Sequence, residues 1–454
     1  MQKSVVYDKL KSTKSIFFVG IGGVSMASLA RYARSKGYAV RGSDSVESEE
    51  VRRLIGEGFD VVIGHSEDSV RGADLVVYTA AVGDDNPELT GAKKLGIQTA
   101  SRAQFLGAVM ADYRVRIGVS GSHGKSTATA MISDLMLFAK KNPTVMCGAS
   151  VPGLGGAYRV GEKDFLFEAC EYRDSFLSLY PNVAVILNVD LDHTDYFKDM
   201  DSLIASFSKF AKISSDDGGS VIVCADDDGA VTAAENEFAI TFGIERECDY
   251  RAKDIVMTGG FASFSVERCD EPFIERIILS VPGRHNIYNA LAAVAVGDLI
   301  GVKADDIARS LSDFSGISRR FEKIKSYMGA DIYVDYAHHP REIEETIKTA
   351  RSICRGRLIT LFEPHTYSRT KALFDGFARA FDAADEKLFV DIYAARERDD
   401  GTISSKMLAD AAGGEYSASY SDAAQRIGQI CKDGDTVLIL GAGTVNKVAD
   451  MIGG

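Results

Sequence analysis

The chain has no excess of positive charge, no paired-cysteine motif and no long apolar run, and each absence argues against a class of function. Lys and Arg number 52 against 65 Asp and Glu, a formal net charge of −13. Nucleic-acid affinity comes mainly from phosphate neutralisation, so nucleic acid is not expected as a partner. A local positive cradle for a small anion stays compatible with an acidic chain. The seven cysteines (Cys147, Cys170, Cys224, Cys248, Cys269, Cys354 and Cys431) are scattered, odd in number and never spaced C-x-x-C. That argues against a zinc cage or a disulfide framework and fits a reducing cytosol. The start, MQKSVVYDKLKSTKS, lacks the apolar core of a signal peptide. No run of 18 apolar residues is present to span a bilayer. A cytoplasmic protein without membrane insertion is expected.

What is there is α/β alternation. At 454 residues the chain exceeds one core, since domains run to about 100–200 residues, and two to four are expected. A hydrophobic share of 46% beside 26% charged residues is that of a globular protein. An apolar run at 16–19 opens onto a glycine turn and a helix to about 35, followed by short strands near 38–41, 59–63 and 74–78. A strand at 117–119 feeds a loop and a helix to about 140, with further strands at 164–168, 183–187 and 221–224. The stretch 236–281 reads as short strands and turns, and 286–300 as an alanine-rich helix. A last group has strands at 331–335, 357–362, 387–392 and 436–440. Proline at 340 followed by Glu342, Glu344 and Glu345 marks a helix start. Leu373, Phe374, Phe377 and Phe381 read as one face of a further helix.

Three kinds of segment carry chemistry. Gly118-Val-Ser-Gly-Ser-His-Gly-Lys-Ser-Thr127 stands between a strand and a helix. A glycine loop in that place aims backbone N–H groups at phosphate. Gly121, Ser122, His123 and Gly124 would form it, Lys125 would add charge at the β- and γ-phosphates, and Ser126 or Thr127 would offer a hydroxyl to Mg²⁺. Val119 stands where the general phosphate-loop pattern has glycine. The bland alternative is a tight turn with an exposed lysine. Gly20, Gly22 and Gly23 make a second strand-to-helix turn, and Asp44 follows about twenty residues on, as in dinucleotide folds. On this segment alone NAD stays open as a ligand. Glu168 ends the run DFLFE and His193 follows VAVIL after a short turn, so both are expected at the C-terminal edge of the sheet that carries the phosphate loop. A carboxylate suits Mg²⁺, whereas histidine is an unusual ligand for it and also reads as structural. Asn286 and Asn289, one helical turn apart, face the same way, and amides read an adenine edge with donor and acceptor together.

Taken in order, these blocks resemble the Mur ligase family. Gly121-Ser-His-Gly-Lys-Ser-Thr127 is similar to its G-[ST]-x-G-K-[ST]-[ST] loop, with the histidine typical of its alanine-adding branch. Phe18-Val-Gly-Ile-Gly-Gly23 resembles that branch's opening motif. Glu168-Ala-Cys-Glu-Tyr-Arg-Asp-Ser-Phe-Leu177 resembles EADEYDxSFL, with Cys170 where the family usually has Asp. Asn188-Val-Asp-Leu-Asp-His193 and Gly283-Arg-His-Asn-Ile-Tyr-Asn289 resemble N-I-x-x-D-H and G-x-H-N-x-x-N. Arg319-Arg-Phe-Glu322, Asp335-Tyr-Ala-His-His-Pro340, Glu363-Pro-His-Thr-Tyr-Ser-Arg-Thr370 and Asp391-Ile-Tyr-Ala-Ala-Arg-Glu397 complete the set.

The resemblance implies an α/β fold of three domains. They are a Rossmann-like N-terminal domain for a UDP-sugar (1–112), a central P-loop-type ATPase domain with a parallel sheet (113–318), and a Rossmann-like C-terminal domain (319–454) that carries the amino acid and closes over ATP. It implies ATP and Mg²⁺, and the joining of L-alanine to the lactyl carboxylate of UDP-N-acetylmuramate through an acyl phosphate, by a monomer or homodimer. Gly20, Gly22, Gly23, Ser43, Asp44, His65, Thr79 and Arg102 become candidates for the UDP-sugar. Glu168 and His193 join Ser126 and Thr127 at the metal. Asn286 and Asn289 are assigned to adenine, Asp335 to ribose and Arg320 to the γ-phosphate. His338, His339, His365, Tyr367 and Arg369 become the amino-acid pocket, in which a neutral His338 aids deprotonation of the amine and His339 also reads as a helix cap. Ser208 falls where some siblings carry a carbamylated lysine, and no such modification is expected at Lys209. Three alternatives remain: a recycling ligase that attaches a ready-made peptide to the same sugar, an NAD-type nucleotide-binding protein, and a non-catalytic paralogue.

Overall fold

The chain alternates strands and helices around three sheets in a computed structural model that describes residues 5–193, 196–395 and 397–453. Of the segments read above, residues 1–4, 194–195, Arg396 and Gly454 lie outside those described. The first sheet holds β1 (Ser15–Val19), β2 (Ala39–Asp44), β3 (Asp60–Ile63), β4 (Leu75–Tyr78) and β5 (Gln98–Ser101), all parallel, in the order β3-β2-β1-β4-β5. This is a doubly wound sheet, with its switch point between β1 and β4. β1 reads as an unbroken apolar run because it is buried on both faces. Phe17 and Val19 pack with Val70, Val76 and Ala92, and Phe18 meets Phe105 edge-on at 5.6 Å.

The second sheet starts at β6 (Val115–Ser120), which leads into the helix Lys125–Phe138. With it run β7 (Thr144–Val151), β8 (Gly156–Arg159), β9 (Asp164–Glu168), β10 (Val183–Ile186) and β11 (Ser220–Cys224), in the order β11-β10-β6-β9-β7-β8. β8 is antiparallel to β7 and the other pairings are parallel. β5, β7 and β8 escape a reading of apolar runs: β7 leaves the core after Cys147 and continues as Gly-Ala-Ser on the surface. Contacts group Met1–Val189 with Ile204–Ile240 as one unit, and Asp190–Leu203 with Thr241–Gly454 as another.

In the second unit Phe242 and Gly243, the end of β12 (Ala239–Gly243), pair parallel with β13 (Tyr250–Thr258). β13, β14 (Phe261–Arg268) and β15 (Glu271–Pro282) then form antiparallel ladders. The turns expected here are present, but the strands are long, up to 12 residues in β15. Charged residues on their exposed faces break the apolar runs that would have revealed them. The helix His285–Leu299 is buried over most of its length, as its alanine content requires. The last sheet holds β16 (Glu322–Tyr327), β17 (Ala330–Asp335), β18 (Leu358–Phe362), β19 (Glu386–Phe389), β20 (Glu415–Tyr416) and β21 (Thr436–Leu440), in the order β16-β17-β21-β18-β19-β20, with β16 the antiparallel edge. Alternate residues of β21 serve two helical layers: Val437 and Ile439 join Ile332 and Ile427, while Leu438 and Leu440 join Phe362 and Ile343. The single helix expected through Leu373 is two, Tyr367–Ala372 and Phe374–Ala380, broken at Leu373 (φ −112°, ψ 21°). Phe377 and Phe381 still reach Phe362, at 5.5 and 5.3 Å between rings. Among the described residues no helix is long and apolar enough to cross a membrane.

Candidate functional site

At the C-terminal edge of the first sheet, β1 runs into Gly20 at φ +76°. A Cβ on Gly20 would stand 2.6 Å from the Thr79 methyl, so Thr79 closes this turn. Gly22 donates its N–H to Asp44 Oδ2 at 2.9 Å, and the helix Val24–Ser35 begins at Gly23 without a side-chain cap. A helix start of that kind is suited to an anion. Ser43 and Asp44 point to opposite sides, as neighbours in a strand do. Ser43 Oγ donates to Glu88 Oε2 at 2.8 Å, and His65 Nδ1 stands 2.7 Å from the same oxygen. Burial raises the Glu88 pKa against the pull of Ser43 and His65.

The phosphate loop follows β6. Gly121 and Gly124 take φ of +143° and +82°, and Gly124 precedes the helix Lys125–Phe138 with no side-chain cap. Asn188 braces the loop: its Oδ1 accepts from His123 N at 2.8 Å and its carbonyl from Ser122 N at 3.1 Å. Lys125 is folded onto the loop, donating to the Gly121 and Ser122 carbonyls and pairing with Glu171 at 3.1 Å. Burial opposes its charge, but Glu171, Cys170 and Glu168 outweigh burial and raise its pKa. Ser126 Oγ donates to Glu168 Oε2 at 2.8 Å, and Gly148 N donates to the same oxygen at 2.8 Å. Of the two candidate hydroxyls it is therefore Ser126, not Thr127, that meets Glu168. Arg102 opens a helix with a Ser101–Gln104 capping box and lines a small cleft with Glu168, Cys170 and Ser175. Burial pushes the Cys170 thiol up to about 11, so it is not a thiolate at neutral pH.

The second unit carries the remaining candidates. Asn289 Nδ2 donates to Asn286 Oδ1 at 3.0 Å, and Asn286 Nδ2 to the Pro282 carbonyl at 2.7 Å, so the two amides do share a face. Asp335 accepts from Phe321 N and Ala337 N, both at 2.7 Å, and burial lifts its pKa to about 6. It thereby holds the turn of Arg319 and Arg320, both of which lie over the Tyr336 ring, at 4.9 and 5.1 Å. His339 is the N-cap of the helix Pro340–Ile353, in a capping box with Glu342, as the cap reading expects.

His338, His365 and Arg369 come together. The His338 and His365 rings are 6.0 Å apart, and Arg369 Nη1 stands 3.3 Å from His365 Nδ1. Arg369 Nη2 donates to Asp192 Oδ1 at 3.2 Å. Burial opposes the Asp192 charge, but Arg369, His193 and His338 hold its pKa well below the carboxylate range. His338 Nδ1 lies 3.0 Å from the Tyr336 carbonyl, which places its proton there and leaves Nε2 as the lone pair. Burial lowers its pKa to about 4. The ring stacked on His365, at 5.5 Å, belongs to Tyr393. Tyr367 instead sits among the charges of Asp399, Asp391 and Glu397. Thr366, before Tyr367, takes φ +69°, a strained value for a β-branched residue.

Comparison with known proteins bears on these clusters. Residues 15–114 match the Mur ligase family catalytic domain, 119–297 the Mur ligase middle domain and 319–443 the Mur ligase glutamate ligase domain. A UDP-N-acetylmuramate–L-alanine ligase of Caldanaerobacter subterraneus subsp. tengcongensis is 44% identical over 450 residues, covering 97% of each chain. The chain belongs to the Mur ligase family. Its fold is similar to the crystal structure of a UDP-N-acetylmuramate-alanine ligase from Thermotoga maritima, with TM-score 0.83 and 26% identity over 96% of this chain and 98% of that one. A murein peptide ligase from Psychrobacter arcticus shares the fold at TM-score 0.75 and 24% identity, over 97% and 98% of the two chains.

As a Mur ligase the chain has the family's three-part α/β architecture. Its donors fit a resident Mg²⁺: a serine hydroxyl and a carboxylate meet at 2.8 Å, and magnesium takes oxygen ligands. His193 lies in the segment that groups with the second unit, at φ +53°. Asn188, Glu171, Asp192 and Tyr393 stand inside the family-like blocks, Asp192 directly beside His193, and that is the signal by which a sequence could mark them. Gly148 and Glu88 stand in no block and carry no such signal.

Proposed function

We propose that this Mur ligase joins L-alanine to the lactyl carboxylate of UDP-N-acetylmuramate with cleavage of ATP to ADP and phosphate, a step in building peptidoglycan precursors in the cytoplasm. The reading rests above all on Lys125, Ser126 and Glu168 gathered at an uncapped helix start, an arrangement made for a nucleotide polyphosphate. The alanine choice is supported by relatives that bear that name at 40–44% identity. That all seven cysteines are free is in keeping with a reducing compartment. The division at 1–112, 113–318 and 319–454 is proposed with it, as is a monomeric or homodimeric state.

A carboxylate is a poor electrophile and needs activation. Its oxygen attacks the γ-phosphorus of ATP, ADP departs, and an acyl phosphate results. The alanine amine then attacks the acyl carbon, phosphate leaves through a tetrahedral intermediate, and the amine proton is lost. Lys125 and Arg320 are assigned to the charge on the transferring phosphoryl group. Ser126 and Glu168, with His193 as a further candidate, would hold Mg²⁺, which supplies Lewis-acid neutralisation of phosphate charge when bound. Gly121–Thr127 takes the phosphates; Asn286, Asn289 and Asp335 take the nucleoside. Gly20, Gly22, Gly23, Ser43, Asp44, His65 and Thr79 take the UDP half of the sugar substrate, and Arg102, beside Glu168, suits its acidic end. Arg369 grips the alanine carboxylate beside His365.

His338 is retained in a narrower role. A ring whose pKa is about 4 is too weak a base to strip an ammonium group, so it accepts a hydrogen bond from the free amine and aims it. The test is ADP release with UDP-N-acetylmuramate and a panel of single amino acids and muropeptides. L-Alanine should be preferred. Turnover with peptides but not with alanine would overturn the substrate assignment, and no turnover with any of them the ligase reading.

A further inference from the structure

We propose that Glu88 is a positioning residue for nucleotide binding. From a buried seat it holds His65 with a proton on Nδ1, which leaves Nε2 at the edge of the first sheet as acceptor for a hydrogen-bond donor of the bound nucleoside. The inference rests on the first domain being the UDP-sugar site.

Glu88 lies in the first turn of the helix Pro87–Leu95, after the Asn86 cap. A carboxylate there normally meets water, yet this side chain has 0% exposure. Its Oε2 receives both the Ser43 hydroxyl, at 2.8 Å, and His65 Nδ1, at 2.7 Å. Ser43 has one proton and gives it to the carboxylate, so the 3.3 Å approach of Ser43 Oγ to His65 Nδ1 adds no donor. His65 meets this oxygen as a donor through Nδ1. The His65 side chain retains 21% exposure where Glu88 has none, so it is the part of the cluster that a ligand can reach. An apolar residue at 88 would avoid burying a carboxylate but would leave the Ser43 hydroxyl and the Ser66 N–H without this acceptor. What Glu88 adds toward a ligand is a fixed direction for the His65 Nδ1 proton.

The position suits a nucleoside. Gly64 donates its N–H to the Asp44 carbonyl, which ties the start of the His65 segment to the end of β2. β3 is two strands from β1, about 10 Å at the usual spacing, roughly the span from a diphosphate at Gly20–Gly23 to the nucleoside it carries.

The test titrates the wild-type enzyme, Glu88→Gln, Glu88→Met, His65→Ala and the Glu88→Met/His65→Ala pair with UDP-N-acetylmuramate and with UDP, by calorimetry. Glu88→Met should raise both Kd values about 3- to 10-fold, the worth of one neutral hydrogen bond, with the KM for ATP and alanine unchanged. Glu88→Gln, whose amide oxygen accepts the same N–H, should stay within about two-fold of wild type. The double variant should bind like His65→Ala alone, because one residue acts through the other. 2′,3′-Dideoxy-UDP assigns the donor: the Met effect vanishes there for a ribose hydroxyl and persists for the uracil imide. A long-range ¹H–¹⁵N spectrum of the wild-type ring should show the Nδ1–H tautomer. An Nε2–H tautomer, a wild-type Kd in Glu88→Met, or additive effects in the double variant overturn the proposal alone. Failure of the wild type to bind either UDP compound overturns the underlying site as well.

Discussion

His338 should remain neutral at a pH where ordinary histidines are charged. Its Nδ1 proton is directed at the Tyr336 carbonyl, and burial takes its pKa from 6.5 to about 4, with Glu342 opposing the fall and Arg369 adding to it. The fall, 6.5 minus 4, is about 2.5, or about 3.4 kcal/mol of preference for the neutral ring at 1.36 kcal/mol per pH unit. The folded value is the lower one, so the unfolded chain binds the proton first. The contribution to stability is therefore whole above about pH 6.5 and is lost as pH falls towards 4. With ¹³C-labelled histidine, the His338 Cε1–H signal, assigned by its loss in His338→Gln, should stay within about 5% of its neutral position at pH 5.5, where an unperturbed ring is about 90% protonated. In the ligation reaction, kcat/KM for alanine should follow the free-amine fraction, with unit slope between about pH 6 and 8 and no break near 6.5. A titration midpoint within about half a unit of 6.5, or a break there that His338→Gln removes, would refute the argument and restore His338 as a proton-stripping base.

The other expectations are more direct. Lys125→Ala should abolish ADP release with the fold intact by circular dichroism, and near wild-type turnover would sink the phosphate-loop assignment. In Gly148→Ala the new Cβ would stand 2.7 Å from Glu168 Oε2, so the carboxylate must shift; with one charge-assisted hydrogen bond of about 1.5–3 kcal/mol at stake, the Mg²⁺ concentration for half-maximal rate should rise roughly 10-fold or more. An unchanged magnesium dependence there would remove Glu168 from the metal. Arg369→Lys should raise the alanine KM roughly 10- to 150-fold with the KM for ATP and the UDP-sugar little changed; a fall in kcat alone would mean that Arg369 acts on the phosphoryl group. UDP-N-acetylmuramate should raise the melting temperature and NAD should not, and saturable NAD binding would reverse the reading of Gly20–Gly23.

The sequence by itself determined the class of fold, its order and its reaction type. Buried parallel strands are near-continuous apolar runs, as in β1, β10, β18 and β21, and strand-to-helix loops that receive phosphate need glycine and lysine at close spacing. Both are local requirements, so they are written in consecutive residues, and the place of Lys125 at a helix start, the shared face of Asn286 and Asn289 and the His339 cap could all be read there. Strands whose exposed faces carry charge, β13 to β15, have no such run and were underestimated. What only the tertiary structure decided is which groups meet. Ser126 rather than Thr127 reaches Glu168, and Tyr393 rather than Tyr367 stacks on His365. Asp192 holds Arg369 across 177 residues of chain, and Glu88 joins Ser43 to His65 across 45 and 23. Gly148 is required only because the Glu168 carboxylate occupies the place of its Cβ. A hydrogen bond between distant segments depends on strand order and helix placement, and no spacing along the chain encodes that.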